Sequence, residues 1–424
     1  MAISHDESSG ALPKSSSPKA SRRILDRVQK AYSIEELRRQ ARGYLPRAVF
    51  DFYDGGAENE TTLRANEAAF QRLKIVSRYL VDVSAPETRI ELLGAPASLP
   101  IAIAPTGAIG YGWPFGDVAI ARAAGLAGVP YTLPTSATSS IERVAREAPN
   151  TRLWFQSYML RKREFTMGLI NRARDAGYEA LIITIDMPTG GKRERDMRND
   201  FGLPFRFTRR NVMDFAQHPG WLVQLMRSGM PTLENMIGFV PNETDTSTIA
   251  SSVGKNYDPT FNWDDLSRIR DAWPHRLIVK GILHPQDALL AAKIGSDAVI
   301  VSNHGGRQLD GAPSSLQALP AIVKEVGSQL DVFLDGGVRR GADIVKAIAL
   351  GAKTVMVGRP MLYGVSAGGQ AGAERALFLL QEELLRSMRL SGLASIDQIN
   401  RSILLDDSVS LLGNDYGVGV APEI

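Results

Sequence analysis

The stretch RLIVKGILHPQDALLAAKIGSDAVIVSNHGG (276–306) decides the fold class of this chain. Its two short apolar runs, RLIVKGI and DAVIVS, are rich in Ile and Val and are typical of buried strands. Between them we expect a helix to begin at His284, beside Pro285, because proline favours the first helical position. A strand, a helix and a second strand in this order predict a parallel β-α-β unit.

Six further runs of the same kind raise the number of candidate strands to eight. Between the runs, segments such as Val118–Leu126 and Ile344–Leu350 repeat apolar residues at intervals of three and four, as helices that cover a sheet do. This alternation predicts an α/β fold with a closed (β/α)8 TIM barrel. An open doubly wound sheet is the alternative, but it usually begins with a Gly-x-Gly-x-x-Gly turn, which is absent after the first strand. The candidate strands begin near Pro100, Val129, Thr151, Ala180, Arg276, Asp297, Asp331 and Thr354.

The remaining segments are assigned from composition and helix signals. Residues 1–27 are predicted to be a disordered extension, since they are rich in Ser, Pro and Lys. Ser33 and Glu36 form a Ser-x-x-Glu box that starts an N-terminal helical segment, which Pro46 stops. Residues 28–400 are assigned to the barrel and 401–424 to a C-terminal tail. No uncharged apolar run reaches the roughly 18 residues of a transmembrane helix, so we expect a cytoplasmic protein.

The composition excludes several kinds of site. The 49 Lys and Arg residues nearly balance the 46 Asp and Glu residues, so no nucleic-acid partner is expected. The chain has no cysteine, which excludes disulfides, thiolate zinc sites, iron–sulfur clusters and a cysteine nucleophile. No metal site is predicted.

A long insertion, at about residues 200–262, follows the fourth strand. The starts of the fourth and fifth strands lie 96 residues apart, against 21 to 34 for the other pairs. From Met187 to Thr232 the chain has eight Lys and Arg against four Asp and Glu. Apolar residues are interspersed, as in an interfacial membrane anchor, although a solvated lid with a small core is an equal alternative. The apolar residues are Phe201, Phe205, Phe207, Phe215, Trp221, Leu222, Leu225 and Met226.

Catalytic groups of a barrel collect at the carboxyl ends of its strands, and several polar side chains stand there. A lone histidine is more often structural than catalytic, but His304 ends the sixth strand and precedes two glycines that let backbone approach a ligand. A neutral imidazole accepts protons near pH 7, and Asp186 would stabilise the imidazolium that forms. The strand-end residues are Gln156, Tyr158, Thr184, Asp186, Lys280, Ser302, His304 and Arg307.

Two further features indicate anionic ligands. Arg193 and Arg307 carry forked donors that suit a substrate carboxylate. The alternative is that both are surface arginines with no role in binding. The seventh and eighth strands end in Asp335-Gly336-Gly337-Val338-Arg339 and Gly358-Arg359, the glycine-rich phosphate position of many barrels.

With SNHGGRQLD (302–310), IVKG (278–281), DGGVRRG (335–341) and Gly358-Arg359, the chain resembles the FMN-dependent 2-hydroxy acid oxidase and dehydrogenase family. Glycolate oxidase, flavin L-lactate dehydrogenase and mandelate dehydrogenase belong to it. The resemblance runs from about Ser33 to about Asp397. It implies FMN as the cofactor and a homotetramer. The implied FMN contacts are Pro105, Thr106, Gly107, Pro134, Gln156, Thr184, Lys280, Ser302, Asp335, Gly336, Gly337, Arg339, Gly358 and Arg359.

The same resemblance implies an activity, the oxidation of an L-2-hydroxy acid to the 2-oxo acid. It makes His304 the base, paired with Asp186, and places Lys280 beside the flavin, where it stabilises the reduced ring. Tyr158 would hydrogen-bond the substrate, and Arg193 and Arg307 would bind the substrate carboxylate.

Three features bear on the substrate and the electron acceptor. In FDFYDGGAEN (50–59), Phe52 replaces a tyrosine that usually contacts the substrate carboxylate, so one substrate hydrogen bond is missing. Ser136, in place of a bulky tryptophan, and Gly107 leave room for larger substrates, including aryl acids such as mandelate. HPGW (218–221) and GMP (229–231) resemble the membrane-associated mandelate and lactate dehydrogenases. They favour a quinone-type acceptor and peripheral contact with the inner face of the cell membrane.

Two alternatives stay open at this point. An oxidase that passes electrons to oxygen and produces hydrogen peroxide would use the same residues. From another class, a non-catalytic flavin-binding barrel would retain the fold, and Phe52 is the feature that favours it.

Overall fold

The computed structural model of this chain describes residues 21–200, 208–239 and 256–405. Within them, eight parallel strands close into a barrel, in which β4 to β11 follow one another and β11 pairs with β4. The predicted TIM barrel is therefore confirmed. The strands are β1 Lys74–Ile75, β2 Ile90–Leu92, β3 Ala95–Ala97, β4 Ile101–Ile103, β5 Tyr131–Pro134, β6 Leu153–Tyr158, β7 Ala180–Thr184, β8 Arg276–Ile282, β9 Ala298–Val301, β10 Asp331–Asp335, β11 Thr354–Val357 and β12 Leu404–Leu405.

Helices alternate with the barrel strands and cover them, and four more precede the barrel. Helix α15 departs from helical backbone angles at Gly368 and Gly369, where two helical stretches meet at a kink. The helices are α1 Arg22–Gln29, α2 Ile34–Tyr44, α3 Arg47–Asp54, α4 Thr61–Arg72, α5 Gly116–Leu126, α6 Ile141–Glu147, α7 Arg163–Asp175, α8 Glu194–Arg198, α9 Arg209–Ala216, α10 Pro219–Ser228, α11 Trp263–Ala272, α12 Pro285–Lys293, α13 Ser315–Val326, α14 Gly341–Ala349 and α15 Arg359–Leu390.

The barrel interior is a packed core. Strands β5, β7, β9 and β11 are buried along their whole length, as expected when helices cover the outer face of a parallel barrel and side chains fill its interior. The rings of Trp154 and Phe333, from β6 and β10, stack with their centroids 6.1 Å apart. The interior is thus filled by side chains, and the space for a ligand lies beyond the strand ends.

Strand register brings the polar strand-end residues to one level. Tyr158 is paired with Thr184, and Thr184 is paired in turn with Lys280. The pairing of β8 with β9 shifts between Lys280 and Ile282, which is the signature of a β-bulge.

Two predicted boundaries need correction. Helix α1 begins at Arg22, inside the predicted extension 1–27, because Ser21 caps it and Val28 is buried against the rest of the protein. Residues 1–20 of that extension lie outside the described residues. The predicted tail 401–424 begins too early, since Ile403 is buried and β12 pairs with β1. Its remainder, 406–424, lies outside the described residues.

The N-terminal helical segment follows its prediction with one difference. The Ser33 hydroxyl accepts a hydrogen bond from the Glu36 amide, and α2 ends at Tyr44. The Glu36 carboxylate, however, accepts from the amide of Tyr32, one residue earlier than in a capping box.

Residues 208–239 of the insertion dock on the barrel with aromatic residues. Phe215 and Trp221 are buried and stack 5.4 Å apart, and the Trp221 indole donates a 2.7 Å hydrogen bond to the backbone oxygen of Tyr111. Leu222 and Leu225 also face the core, whereas Met226 is exposed. Phe201, Phe205 and Phe207 lie outside the described residues. In the described ranges, no helix combines the length and the apolar character needed to span a membrane.

Candidate active site

A cavity opens at the carboxyl ends of the barrel strands, where the sequence predicts catalytic groups. Most predicted site residues line it: Phe52, Pro105, Thr106, Gly107, Tyr158, Thr184, Arg193, Lys280, His304, Arg307, Asp335, Gly336, Gly337, Arg339, Gly358 and Arg359. Pro134, Gln156, Asp186 and Ser302 lie behind this lining, and the last three support it through hydrogen bonds.

His304 is held between Asp186 and Tyr158. Its Nδ1 lies 3.0 Å from the Asp186 carboxylate, and its Nε2 lies 3.3 Å from the Tyr158 hydroxyl. In the neutral tautomer with the proton on Nδ1, that nitrogen donates to Asp186 and Nε2 is left as the acceptor. The backbone of His304 is left-handed, with φ of 57°, which costs a non-glycine residue about 1–2 kcal/mol. Such local strain is characteristic of functional sites.

Burial keeps His304 neutral at pH 7. It lowers the pKa of His304 and outweighs the opposing effect of Asp186. Burial alone would raise the pKa of Asp186, but its interactions with His304 and Lys280 hold it below its ordinary value. A neutral imidazole beside an ionised carboxylate is the arrangement of a general base whose protonated form is stabilised.

Gly281, the bulged residue of β8, makes room for Asp186. It has φ of +105°, and a Cβ built on it would lie 2.8 Å from both Cβ and Cγ of Asp186. Only glycine combines this backbone conformation with so close an approach. The bulge therefore fixes the carboxylate against His304.

Two guanidinium groups converge on the ring of Phe52. Those of Arg193 and Arg307 lie 5.2 and 5.3 Å from its centroid. Burial, together with the neighbouring charges of Arg193 and Arg359, lowers the pKa of Arg307 to about 9. Clustered, partly desolvated guanidinium groups favour a bound anion, and their planar donors match a carboxylate.

Lys280 is buried with two partners. Its ammonium donates to the Ser302 hydroxyl at 2.9 Å and forms an ion pair with Asp335 at 3.2 Å. Burial by itself would lower the pKa of Lys280, but Asp335 and Asp186 outweigh it and raise the pKa. Ser302 also accepts a 3.0 Å hydrogen bond from the amide of His304, so one hydroxyl positions both the cation and the base.

The glycine-rich turns also line the cavity. Helix α15 begins there at Arg359, directly after Gly358, and a helix N-terminus attracts phosphate. The guanidinium of Arg359 is occupied by backbone oxygens of Tyr53, Gly55 and Gly305. The Arg339 guanidinium is bound to Glu67 at 2.9 Å. Arg359 thus offers this end its helix terminus rather than its side chain.

Two residues of the site were missed by the sequence analysis. Gln308 donates to the backbone oxygens of Asp186 and Thr189 and accepts from the amide of Gly191, so it fastens the loop after β7. It stands four residues after His304 within a quoted motif, which was a usable signal. Tyr257 lines the cavity but follows no motif.

Comparison with known proteins identifies the family. A model of the family described as FMN-dependent dehydrogenase matches residues 41–406. This chain belongs to that family. The predicted resemblance and the FMN cofactor are thereby confirmed.

Among related FMN-dependent dehydrogenases, (S)-mandelate dehydrogenase of Pseudomonas putida is 40% identical over 383 residues, or 90% of this chain and 96% of the relative. L-lactate dehydrogenase of Caulobacter sp. (strain K31) is 44% identical over 373 residues, or 88% of this chain and 98% of the relative. The crystal structure of the monotopic membrane protein (S)-mandelate dehydrogenase matches with a TM-score of 0.85 and 39% identity. That match covers 89% of this chain and 100% of that chain.

The buried polar atoms of the site fit FMN. Gln156 donates to the Thr184 hydroxyl, while its Oε1 has no hydrogen-bond partner among the described residues, and the same holds for Oδ1 of Asp335. The flavin ring carries N–H donors and carbonyl acceptors that can satisfy such groups. FMN, when bound, supplies an acceptor for two electrons. Lys280 is a cation that lines the same cavity.

Proposed function

We propose that this enzyme oxidises an L-2-hydroxy acid to the corresponding 2-oxo acid. The observation that carries the proposal is the Asp186–His304 pair, whose Nε2 faces a cavity that also holds Arg193 and Arg307. His304 accepts a proton from the substrate, and Asp186 stabilises the resulting imidazolium. The two arginines bind the substrate carboxylate and orient the molecule.

Tyr158 orients the substrate in this scheme. Burial and the charge of Asp186 raise its pKa, so the phenol stays protonated and can donate a hydrogen bond. Its hydroxyl lies within 3.3 Å of the base, beside the position of the reacting group. A substrate oxygen between Tyr158 and His304 is therefore placed for proton transfer.

We propose that larger substrates, including mandelate, are accepted along with L-lactate. Ser136, Met187 and Leu233 line the cavity and give it one small and two apolar contacts. Gly107 contributes less room than its size suggests, because a Cβ on it would lie 2.2 Å from the Ser136 hydroxyl. An aryl side chain would gain from burial against the apolar wall.

The activity is tested by mixing the FMN-loaded protein anaerobically with (S)-mandelate, L-lactate and glycolate. Bleaching of the flavin absorbance is expected with the first two, and a His304→Ala variant should bleach about 10²–10⁴ times more slowly. No bleaching with any hydroxy acid would refute the proposal. Recovery after air is admitted separates the acceptors, since slow recovery indicates a dehydrogenase and rapid recovery an oxidase.

We further propose peripheral contact with the inner face of the cell membrane and a quinone-type acceptor. The outer surface of the insertion exposes a group of apolar side chains that we call the apolar patch. It consists of Val212, Met213, Val223, Met226, Met230 and Ile237. The relative described as a monotopic membrane protein supports the same interpretation. Phe215 and Trp221, which are among the described aromatic residues of the insertion, do not belong to this surface, since they are buried.

Cosedimentation with anionic phospholipid vesicles tests the membrane contact. The double variant Met213→Glu, Met226→Glu should remain in the supernatant, while the wild-type protein sediments. Leu126→Glu is the matched control, because it places the same charge at an exposed apolar residue outside the insertion. Equal sedimentation of all three proteins would contradict membrane contact through the apolar patch and favour a solvated lid.

A homotetramer is proposed from the family resemblance. Tyr79 and Leu80 are exposed ahead of β2 and offer apolar surface to a second copy. Size-exclusion chromatography with light scattering would measure the mass of the protein in solution. A monomer would contradict the proposal.

A further inference from the structure

Tyr257 is held rigidly beside the strand that carries Tyr158. It forms an antiparallel bridge with Leu160, just beyond the end of β6. The residues on either side of Tyr257 are bound to the same segment, through the Arg161 amide to Asn256 and the Asp258 amide to Met159, at 2.8 and 2.9 Å. The position of this tyrosine is therefore fixed by backbone pairing and does not depend on its side chain.

The side chain of Tyr257 lines the cavity and is 8% exposed. Its ring centroid lies 5.2 Å from that of Tyr158. Burial raises its pKa, with Tyr158 adding to the effect and Arg193 opposing it, so the phenol stays protonated. Tyr257 is thus a hydrogen-bond donor close to both Tyr158 and Arg193.

Two other buried tyrosines direct their hydroxyls to backbone oxygens. Tyr53 donates to the backbone oxygen of Ala108 at 2.8 Å, and Tyr178 donates to that of Ile141 at 3.1 Å. The Tyr257 hydroxyl is not among the fully buried unpaired atoms of the described residues, and Tyr257 lines the cavity, where its hydroxyl is available to a ligand.

Arg193 connects Tyr257 to the residue that departs from the family pattern. The guanidinium of Arg193 lies over the ring of Phe52, and its charge also acts on Tyr257. A carboxylate bound by Arg193 would therefore lie near two rings. Phe52 has no hydroxyl to donate to it, whereas the phenol of Tyr257 can donate.

We propose that Tyr257 donates its phenol hydrogen to the substrate carboxylate bound by Arg193 and so replaces the hydrogen bond that Phe52 cannot make. This inference rests on the proposed function, because the carboxylate belongs to the hydroxy acid. Tyr257 is accordingly a substrate-binding residue with no part in the proton transfer.

The test compares Tyr257→Phe, Phe52→Tyr and the double variant as FMN-loaded proteins. For Tyr257→Phe, we expect KM for both L-lactate and (S)-mandelate to rise roughly tenfold or more, with a smaller change in kcat, since the lost hydrogen bond is to a charged group. The dissociation constant of pyruvate, read from the flavin spectrum without turnover, should rise similarly. Tyr178→Phe, which removes a buried hydroxyl away from the site, should leave KM unchanged.

Rescue distinguishes a substrate contact from a structural role. Phe52→Tyr should recover most of the lost affinity in the Tyr257→Phe background and give a smaller gain in the wild-type protein. Equal gains in both backgrounds, an effect confined to one substrate, or unchanged pyruvate binding in Tyr257→Phe would overturn the inference. If the wild-type protein oxidised no hydroxy acid, the proposed function would be refuted. If the wild-type protein oxidised hydroxy acids and Tyr257→Phe had the same KM, only this inference would be refuted.

Discussion

The guanidinium of Arg307 lies 5.3 Å from the ring centroid of Phe52 and donates a 2.8 Å hydrogen bond to the backbone oxygen of the same residue. The same Nη1 also donates to Gly55 at 2.9 Å, which leaves Nε and Nη2 for an anion. Arg307 thus holds the N-terminal segment in place with one nitrogen and has two left for the proposed substrate carboxylate.

Arg307→Lys tests the proposed contact between Arg307 and the substrate carboxylate. A lysine has a single ammonium and cannot serve the backbone oxygens and a carboxylate in the same geometry. We expect a loss of about 1.5–3 kcal/mol in substrate binding, seen as a higher KM for L-lactate with a smaller change in kcat. Arg172→Lys, at a surface ion pair with Glu142, is the control and should behave as wild type. An unchanged KM would show that Arg307 does not contact the substrate.

The pH dependence of kcat/KM should report His304. Because burial lowers the pKa of His304, the base is neutral at pH 7, and activity should fall only as the pH drops through this lowered pKa. Asp186→Asn removes the charge that raises the pKa of His304, so the acid limb should move to lower pH while the plateau rate falls. Stopped-flow flavin reduction from pH 5 to 8 measures both effects. An acid limb that moved to higher pH would contradict the assignment.

The buried pair of Lys280 and Asp335 predicts a specific pattern of stability. Lys280→Met leaves the Asp335 carboxylate without its cation, and breaking a buried pair in this way costs about 3–5 kcal/mol. Urea unfolding should show this loss. The double variant with Asp335→Leu should recover most of it, because no unpaired charge remains. If the double variant were no more stable than Lys280→Met, the ion pair would not be the cause.

Gly281→Ala tests the close approach of β8 to Asp186. The new Cβ would lie 2.8 Å from the Asp186 side chain and push the carboxylate away from His304. Flavin reduction should slow and unfolding should occur at lower urea concentration. Gly177→Ala is matched in having positive φ, 81°, but its Cβ would meet no atom within 4 Å, so it should cost only about 1–2 kcal/mol. Similar rates in the two variants would mean that the bulge does not position Asp186.

The barrel was predictable from sequence because its strands are buried on both faces and read as apolar runs. Strand-end positions then located His304, Asp186 and Lys280, since closure of a parallel barrel brings all carboxyl ends together. Sequence alone did not show which strand-end residues line the cavity. Gln156 shares a strand face with Tyr158 but lies two residues deeper, and it reaches the lining through its hydrogen bond to Thr184, as Ser302 does through Lys280.

The remaining differences between the sequence predictions and the structure arise from packing and long-range contacts, which a local sequence motif does not specify. Residues 22–27 of helix α1 were assigned to a disordered extension because their composition is polar, yet Ile24 and Val28 pack against the core and Arg27 donates to the backbone oxygen of Ala367. The aromatic residues of the insertion suggested a lipid-facing surface, but Phe215 and Trp221 pack inward and methionines are exposed instead. Tyr257 enters the cavity through a bridge between segments 97 residues apart, a relationship that no local pattern encodes.

Arg359 has a consequence for how this site is made in the cell. Its guanidinium ties together the carbonyl groups of Gly55 and Gly305, so the Phe52 segment gains this anchor only after Arg359 has been made. Gly55 is synthesised 304 residues earlier. At about 5–20 residues per second, the ribosome needs about 15–60 s to cover that distance. During that interval the early segment lacks this anchor, so we expect the complete cavity to form only after the eighth barrel strand has been made.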